Sequence, residues 1–419
     1  MDGRRIATLH RRGRAQPLRL CYRDDLPAGA TSLSVAMPTA ASRHQGPQVR
    51  YWLAGLLPDR EEVLAAWRRT FKVTSVEEYA LLHHVGVDVA GAAQFCLPEM
   101  AETLNVAGEL RPLTHEQVGR RLTELSAGSG DWGVQPGAGQ FSLAGTQAKL
   151  ALRRSGEKWF LPTGAQATTH ILKPAIPDLP EQDLNEHLTM LTAARIGLPV
   201  PPTRVMTFAG QRALVVQRYD RLVHDDQVYR IHQEDLGQAL GRRPSDKYEA
   251  SGGPGLVTLV GLLRRVVSAE AVNRDVATLL DAAAFNWLIG GTDAHARNYS
   301  LLLAGNRVRF APLYDLNSFL PYNSRAYVNL SMSVGGSPHF RSSDITADDW
   351  RWLARRAQVD PDDLLHRITE MATDLPDAAA DAVAIGEIDD ATATTRAFGT
   401  RFIDALATHA ARCAEQLKR

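Results

Sequence analysis

The run Thr292-Asp293-Ala294-His295-Ala296-Arg297-Asn298 sets a carboxylate and a side-chain amide five positions apart in one polar loop. Moving a phosphoryl group onto a hydroxyl needs a carboxylate that accepts or orients the hydroxyl proton. It also needs a neutral oxygen that helps hold the metal bridging the nucleotide phosphates. Asp293 and Asn298 are of the right types and spacing for those two tasks, and Arg297 adds a cation where the moving phosphate carries negative charge. A short pattern of this kind also fits a plain polar loop after the apolar segment Ala283 to Ile289. The next residues weigh against that. Ser300 to Leu303 and Val308 to Phe310 flank Gly305-Asn306 as the arms of a hairpin do. The hairpin delivers Leu313-Tyr314-Asp315, a second carboxylate. Asn298 and Asp315 together call for a hard, oxygen-seeking cation, Mg2+. Zinc is not implied, because His295 has no second His or Cys at ligand spacing. It reads as a hydrogen-bonded loop residue that orients Asp293.

The order carboxylate, amide, hairpin, carboxylate is that of protein kinases, and it sends the search upstream for a nucleotide-binding lobe. Lys173 closes the apolar strand Thr169 to Leu172, where its stem can stay in the core and its ammonium reach phosphates. Glu186 lies on the following helix, Gln182 to Arg195, where a carboxylate partner for that lysine belongs. Ser142 to Lys149 is the candidate phosphate loop, with a single glycine. It is neither a Walker loop nor a G-x-G-x-x-G, but its backbone N–H groups, Gln147 and Lys149 can cradle phosphates. Ala213 to Val216 is an apolar strand leading to Gln217, Arg218 and Tyr219, placed as the hinge that reads adenine through its backbone.

The elements around these residues give an α+β reading. It is a protein-kinase-like bilobal fold with an added N-terminal mixed α/β subdomain and a mainly helical C-terminal lobe. Residues 1–112 form the added subdomain, with strands at Leu18 to Tyr22 and Leu33 to Met37 and helices near Glu61 to Thr70 and Val76 to His84. Residues 113–237 are strands around one helix, and residues 238–419 the helical lobe. The final helix aligns Phe398, Phe402, Leu406, Ala410, Cys413 and Leu417 as a core stripe. Across the 419 residues, 47 Lys and Arg balance 47 Asp and Glu, so no global field draws the chain to nucleic acid. No apolar run approaches membrane-spanning length and none follows the basic N-terminus as a signal peptide would. Three scattered cysteines, Cys21, Cys96 and Cys413, suit a reducing cytoplasm and read as core residues.

Taken in order, these motifs resemble the HipA family of bacterial toxin kinases. The resemblance runs nearly end to end. It takes in Leu56-Leu57-Pro58-Asp59, Ser142 to Lys149, Thr169 to Lys173, Asn185-Glu186, Arg218 to Arg221, Gln233 to Asp235, Lys247 to Glu249, Gly252 to Gly255, Asn286 to Gly290, Thr292 to Asn298 and Pro312 to Asp315. It implies Asp293 as catalytic base and Asn298 and Asp315 as Mg2+ ligands. It implies ATP contacts from Ala144, Gly145, Thr146, Gln147, Ala148, Lys149, Lys173, Gln217, Arg218, Tyr219 and Tyr314, with His295 and Asp315 beside them. It further implies that Ser142 is an autophosphorylation site whose modification expels the phosphate loop. An aminoacyl-tRNA synthetase is the implied protein substrate. A small helix-turn-helix antitoxin is the implied partner, with operator DNA reached only through it. Two positions depart from the family pattern, Gln217 and Ala148, each standing where the family has Glu. Neither touches Asp293, Asn298 or Asp315.

Two other functions fit parts of this pattern. A small-molecule phosphotransferase shares the Asp-to-Asn spacing, but usually has His-Gly before the Asp, where this chain has Gly291-Thr292. A catalytically silent co-repressor would be expected to have lost one of Lys173, Asp293, Asn298 or Asp315, and all four are present.

Overall fold

Alternating apolar and polar side chains make Arg19–Tyr22 a strand, with Leu20 and Tyr22 buried. In this computed structural model it pairs antiparallel with Ala7–His10 on one side and Arg43–Gln45 on the other. The structure describes all residues except 2, 12, 14, 15, 102, 103, 105–107, 129–131, 133, 135–140, 177, 178, 323–327, 338 and 387–391. Leu33 to Met37, expected as a strand, form a turn closed by a bridge between Ser34 and Met37. The Tyr22 hydroxyl donates to the Met37 carbonyl at 2.7 Å and accepts from the Leu33 N–H at 2.9 Å. It thereby satisfies backbone groups that a neighbouring strand would have taken. Burial of Leu33 and Met37 produced the apolar spacing without a ladder.

Two compact units account for the chain. The first comprises Met1–Pro177, Thr207–Pro244 and Leu301–Val308. The helix Glu61–Thr70 has the expected bounds, with Glu61 and Glu62 in its first turn and Arg68 and Arg69 in its last, the signs its dipole favours. A six-stranded sheet runs in the order Thr203–Phe208, Gln211–Gln217, His170–Pro174, Leu150–Ser155, Lys158–Pro162, Leu110–Leu113. A helix at His115–Ser126 was not anticipated within what read as strands around a single helix. Its Thr114–Gln117 capping box is present in the sequence, and Val118, Leu122 and Leu125 are buried.

The second unit comprises Asp178–Met206, Ser245–Ser300 and Arg309–Arg419. The long helix Pro361–Ile385 packs against Gln182–Arg195, Ala347–Ala357, Val272–Leu288 and Ala393–Gln416. Phe398, Phe402, Leu406, Ala410 and Cys413 are fully buried, whereas Leu417, the last residue of the expected stripe, caps the helix and is half-buried. Of the three cysteines read as core, only Cys413 is buried, while Cys21 and Cys96 are half-buried; all three are unpaired. Among the described residues no helix is long and apolar enough to cross a membrane.

Candidate active site

The helix Val272–Leu288 is anchored by Trp287, which is fully buried. It ends at Gly290, whose φ of +63° turns the chain into the polar loop. A side chain there would collide with Leu320, a Cβ lying 2.8 Å from its Cγ. Within the loop, the Asn298 amide nitrogen donates to the Asp293 carbonyl at 2.8 Å, closing the five-residue spacing into a ring. That bond uses the amide nitrogen and leaves the oxygen as the side chain's acceptor. The Asp293 side chain is 60% exposed. Its Oδ1 accepts from the Tyr248 hydroxyl at 2.7 Å.

His295 does not orient Asp293 through a hydrogen bond. Its Nε2 lies 3.9 Å from Asp293 Oδ1, and its buried Nδ1 has no hydrogen-bond partner among the described residues. Burial pushes the imidazole down to about 4, partly opposed by the Asp293 charge, so the ring is neutral at physiological pH. Asp293 is instead hydrogen-bonded by Tyr248, whose ring stands edge-on to His295 at 5.2 Å. Arg297 is buried at 8% exposure.

The hairpin strands Ser300–Ala304 and Arg307–Phe310 follow, as their spacing predicts. The chain then returns to the loop: the Tyr314 hydroxyl donates to the Arg297 carbonyl at 2.9 Å and lies 2.7 Å from the Ser300 hydroxyl. Asp315 comes next with a φ of +58°. That left-handed conformation costs an L residue about 1–3 kcal/mol, and Asn and Asp adopt it more readily than most residues. Helix Gln182–Arg195 holds the following turn, where Asn185 donates to the Ser318 carbonyl at 2.7 Å and accepts from the Ser318 N–H at 3.3 Å. Asn298 and Asp315 supply one neutral and one anionic hard oxygen. Among the described residues no cluster of three His, Cys, Asp or Glu forms a metal cage. Donors of these two types would suit Mg2+ beside nucleotide phosphates.

In the first unit the candidate phosphate loop begins at Ser142, which is fully buried and pairs in parallel with Val89. Its hydroxyl donates to the Leu56 carbonyl at 2.7 Å. Gly145 has a φ of +108° and bridges to Pro58, while its carbonyl accepts from the Asp59 N–H at 3.1 Å. The segment Leu56 to Asp59 therefore holds the loop at two points. Lys149 donates to the Ala144 carbonyl at 2.6 Å, and Gln147 to that of Pro174 at 3.4 Å. Thr146 and Ala148 lie in the same irregular segment.

Lys173 sits opposite Leu214 in the central strand pair and is 8% exposed. Glu186 is buried in the second unit, near Gln182 Nε2 at 3.5 Å. The candidate hinge begins at Gln217, exposed at the strand end opposite His170. Arg218 gives its backbone N–H to Thr169, and its guanidinium to Asp220, Thr168 and Val89 at 2.8–2.9 Å. Tyr219 hydrogen-bonds Gln233. Arg218, Arg221 and Arg230 converge on Asp88. Burial alone would raise the Asp88 carboxyl, but the guanidiniums of Arg221, Arg218 and Arg230 hold it well below the usual range.

Sequence reasoning gave no role to Tyr248, Asn185 or Asp88. Tyr248 and Asn185 stand inside runs that carry the family resemblance, which was the available signal. Asp88 had none.

Residues 141–379 match the family model of the HipA-like C-terminal domain, and residues 1–96 that of the HipA N-terminal domain. The chain belongs to the HipA family. A putative kinase, Y4mE, of Sinorhizobium fredii is 38% identical over 361 residues, covering 84% of this chain and 82% of that protein. The serine/threonine-protein kinase toxin HipA of Shewanella oneidensis is 28% identical over 354 residues, covering 80% and 77%. The solved complex of Shewanella oneidensis HipA with HipB and its operator DNA contains a chain similar to this one. The TM-score is 0.81 at 26% identity, over 97% of this chain and 95% of that one. This HipA-family chain is accordingly a protein kinase with a kinase-like α+β fold.

Proposed function

We propose that this HipA-family kinase transfers the γ-phosphate of ATP to serine or threonine hydroxyls of a host protein, with Asp293 as base. The observation that carries the reading is the locking of two loops onto each other. Asn298 closes on the Asp293 carbonyl and Tyr314 closes on the Arg297 carbonyl, so both carboxylates belong to one frame. In this reading the exposed Asp293 carboxylate accepts the hydroxyl proton, and Arg297 lends positive charge to the loop. Asn298 Oδ1 and Asp315 would hold Mg2+, which when bound offsets the charge gathering on the phosphates.

Residues Ala144 to Lys149 would bind phosphates, and Lys173 would reach them. Gln217 to Tyr219 would read adenine by backbone groups, since the Arg218 guanidinium is already committed to the buried ion cluster. That arrangement makes Gln217 in place of Glu tolerable. We assign residues 1–112 as the added subdomain, 113–237 as the nucleotide lobe and 238–419 as the catalytic lobe. Ser142 is the self-modification site.

The physiological reading is a toxin acting on translation, with an aminoacyl-tRNA synthetase as target, restrained in the cytoplasm by a helix-turn-helix antitoxin. Support comes from the similar HipA that was solved with HipB and operator DNA. A chain of zero net charge also leaves DNA contact to a partner. Expression of the intact chain alone should arrest bacterial growth, and a co-expressed antitoxin should relieve the arrest. Phosphopeptide mapping of the arrested cells should find the new phosphate on a synthetase. Harmless expression of an enzyme active in vitro would remove the toxin reading.

A further inference from the structure

We propose that Tyr248 is the positioning residue of the catalytic carboxylate, fixing which Asp293 oxygen meets the acceptor hydroxyl; this rests on Asp293 being the base. An exposed carboxylate on a loop samples several side-chain rotamers, and only some aim an oxygen at an incoming hydroxyl. Proton transfer demands hydrogen-bond distance and alignment, so each misdirected rotamer is unproductive. The Tyr248 hydroxyl engages Oδ1 at 2.7 Å, which restricts the carboxylate's rotamers and leaves Oδ2 as the oxygen for the substrate. His295 Nε2, at 3.9 Å, is beyond hydrogen-bond distance and cannot perform this task.

The phenol is itself held on several sides. Its ring meets the His295 ring edge-on at 5.2 Å, and the Lys247 ammonium lies 5.3 Å from its centroid. The Tyr248 carbonyl accepts from the Gly253 N–H at 2.9 Å, across a turn made by Gly252 at φ +89°. The adjacent Glu249 carboxylate takes the Ser333 N–H at 2.6 Å and the Ser333 hydroxyl at 3.0 Å. Ser331, two residues before, donates its hydroxyl to the Thr292 carbonyl at 2.7 Å, directly before Asp293. Tyr248 and Asp293 are thus both tied to the segment Ser331 to Ser333, one through Glu249 and one through Thr292. A donor and acceptor fixed to a common frame keep their alignment while the rest of the loop moves.

The test uses the full chain with Mg2+ and radiolabelled ATP, reading γ-phosphate lost from ATP to protein or water, together with binding of a fluorescent ATP analogue. Tyr248→Phe keeps the ring against His295 and removes only the hydroxyl. Its maximal rate should fall about tenfold to a hundredfold, with half-saturating ATP and analogue binding changed by less than about twofold. On an Asp293→Asn background the same change should have no further effect, because the carboxylate it orients is gone. A parent-like rate for Tyr248→Phe, a loss expressed only as weaker ATP binding, or a full additional loss on Asp293→Asn would overturn the proposal. So would a phenylalanine variant that melts well below the parent, since Tyr248 would then be structural. An Asp293→Asn enzyme as fast as the parent would bring down the base assignment instead.

Discussion

The hydroxyl of Ser142 donates to the backbone carbonyl of Leu56 at 2.7 Å, and no part of the serine reaches solvent. A phosphate there would bring nearly two negative charges into a buried position and break that bond. The loop must therefore leave Leu56 and Asp59 for Ser142 to accept phosphate, and cannot return while it is carried. Incubation with Mg2+-ATP should place phosphate on Ser142 by peptide mapping, and hydrogen exchange over residues 141–149 should rise in the modified form. Ser142→Ala should stay active and unmodified at this site. Unchanged exchange in fully modified protein would contradict the release.

Asp88 is the shared counter-charge of Arg218, Arg221 and Arg230, and also accepts from the Thr168 hydroxyl at 2.6 Å. Asp88→Ala should destabilise the protein by about 3–5 kcal/mol, the usual cost of leaving buried charge uncompensated. Urea unfolding followed by tryptophan fluorescence would measure it. A loss under about 1 kcal/mol would mean that water or backbone carbonyls already satisfy the guanidiniums.

Glu234 is buried beside Ser34, with its Oε1 accepting from the Val35 N–H at 2.7 Å. Burial pushes its carboxyl up to about 8, against the smaller opposing effect of those hydrogen bonds. A raised folded-state value means that stability from this group is fully present below the unfolded value near 4.5 and is lost as pH rises through about 8. The melting temperature should carry that downward slope between pH 5 and 8 in the parent, and Glu234→Gln should flatten it. Equal slopes in the two proteins would place the ionised carboxylate in the folded state.

The candidate catalytic loop stands out in the sequence because its residues lie close together along the chain. Asp293, Asn298 and Asp315 are set by spacing and by one hairpin, and the structure joins the loops with the Asn298 and Tyr314 bonds. Residues whose role depends on distant partners were not legible. Asp88 lies 130 positions from Arg218, and Tyr248 lies 45 from Asp293. No periodicity encodes such separations. Leu33 to Met37 shows the converse failure. Apolar spacing reports burial, and a tyrosine hydroxyl can satisfy backbone groups in place of a strand. The helix His115–Ser126 was readable from its capping box and was missed because the surrounding strands dominated the pattern.

The most direct measurement for the whole account is phosphoryl transfer by Asp293→Asn, made beside nucleotide binding by the same protein. The substitution is nearly isosteric, retains the backbone carbonyl that Asn298 engages, and removes the charge proposed to accept the proton. The account predicts a rate lowered by at least about a hundredfold with binding of the ATP analogue and melting temperature close to the parent's. Transfer at the parent rate, with Mg2+-ATP saturating, would contradict it.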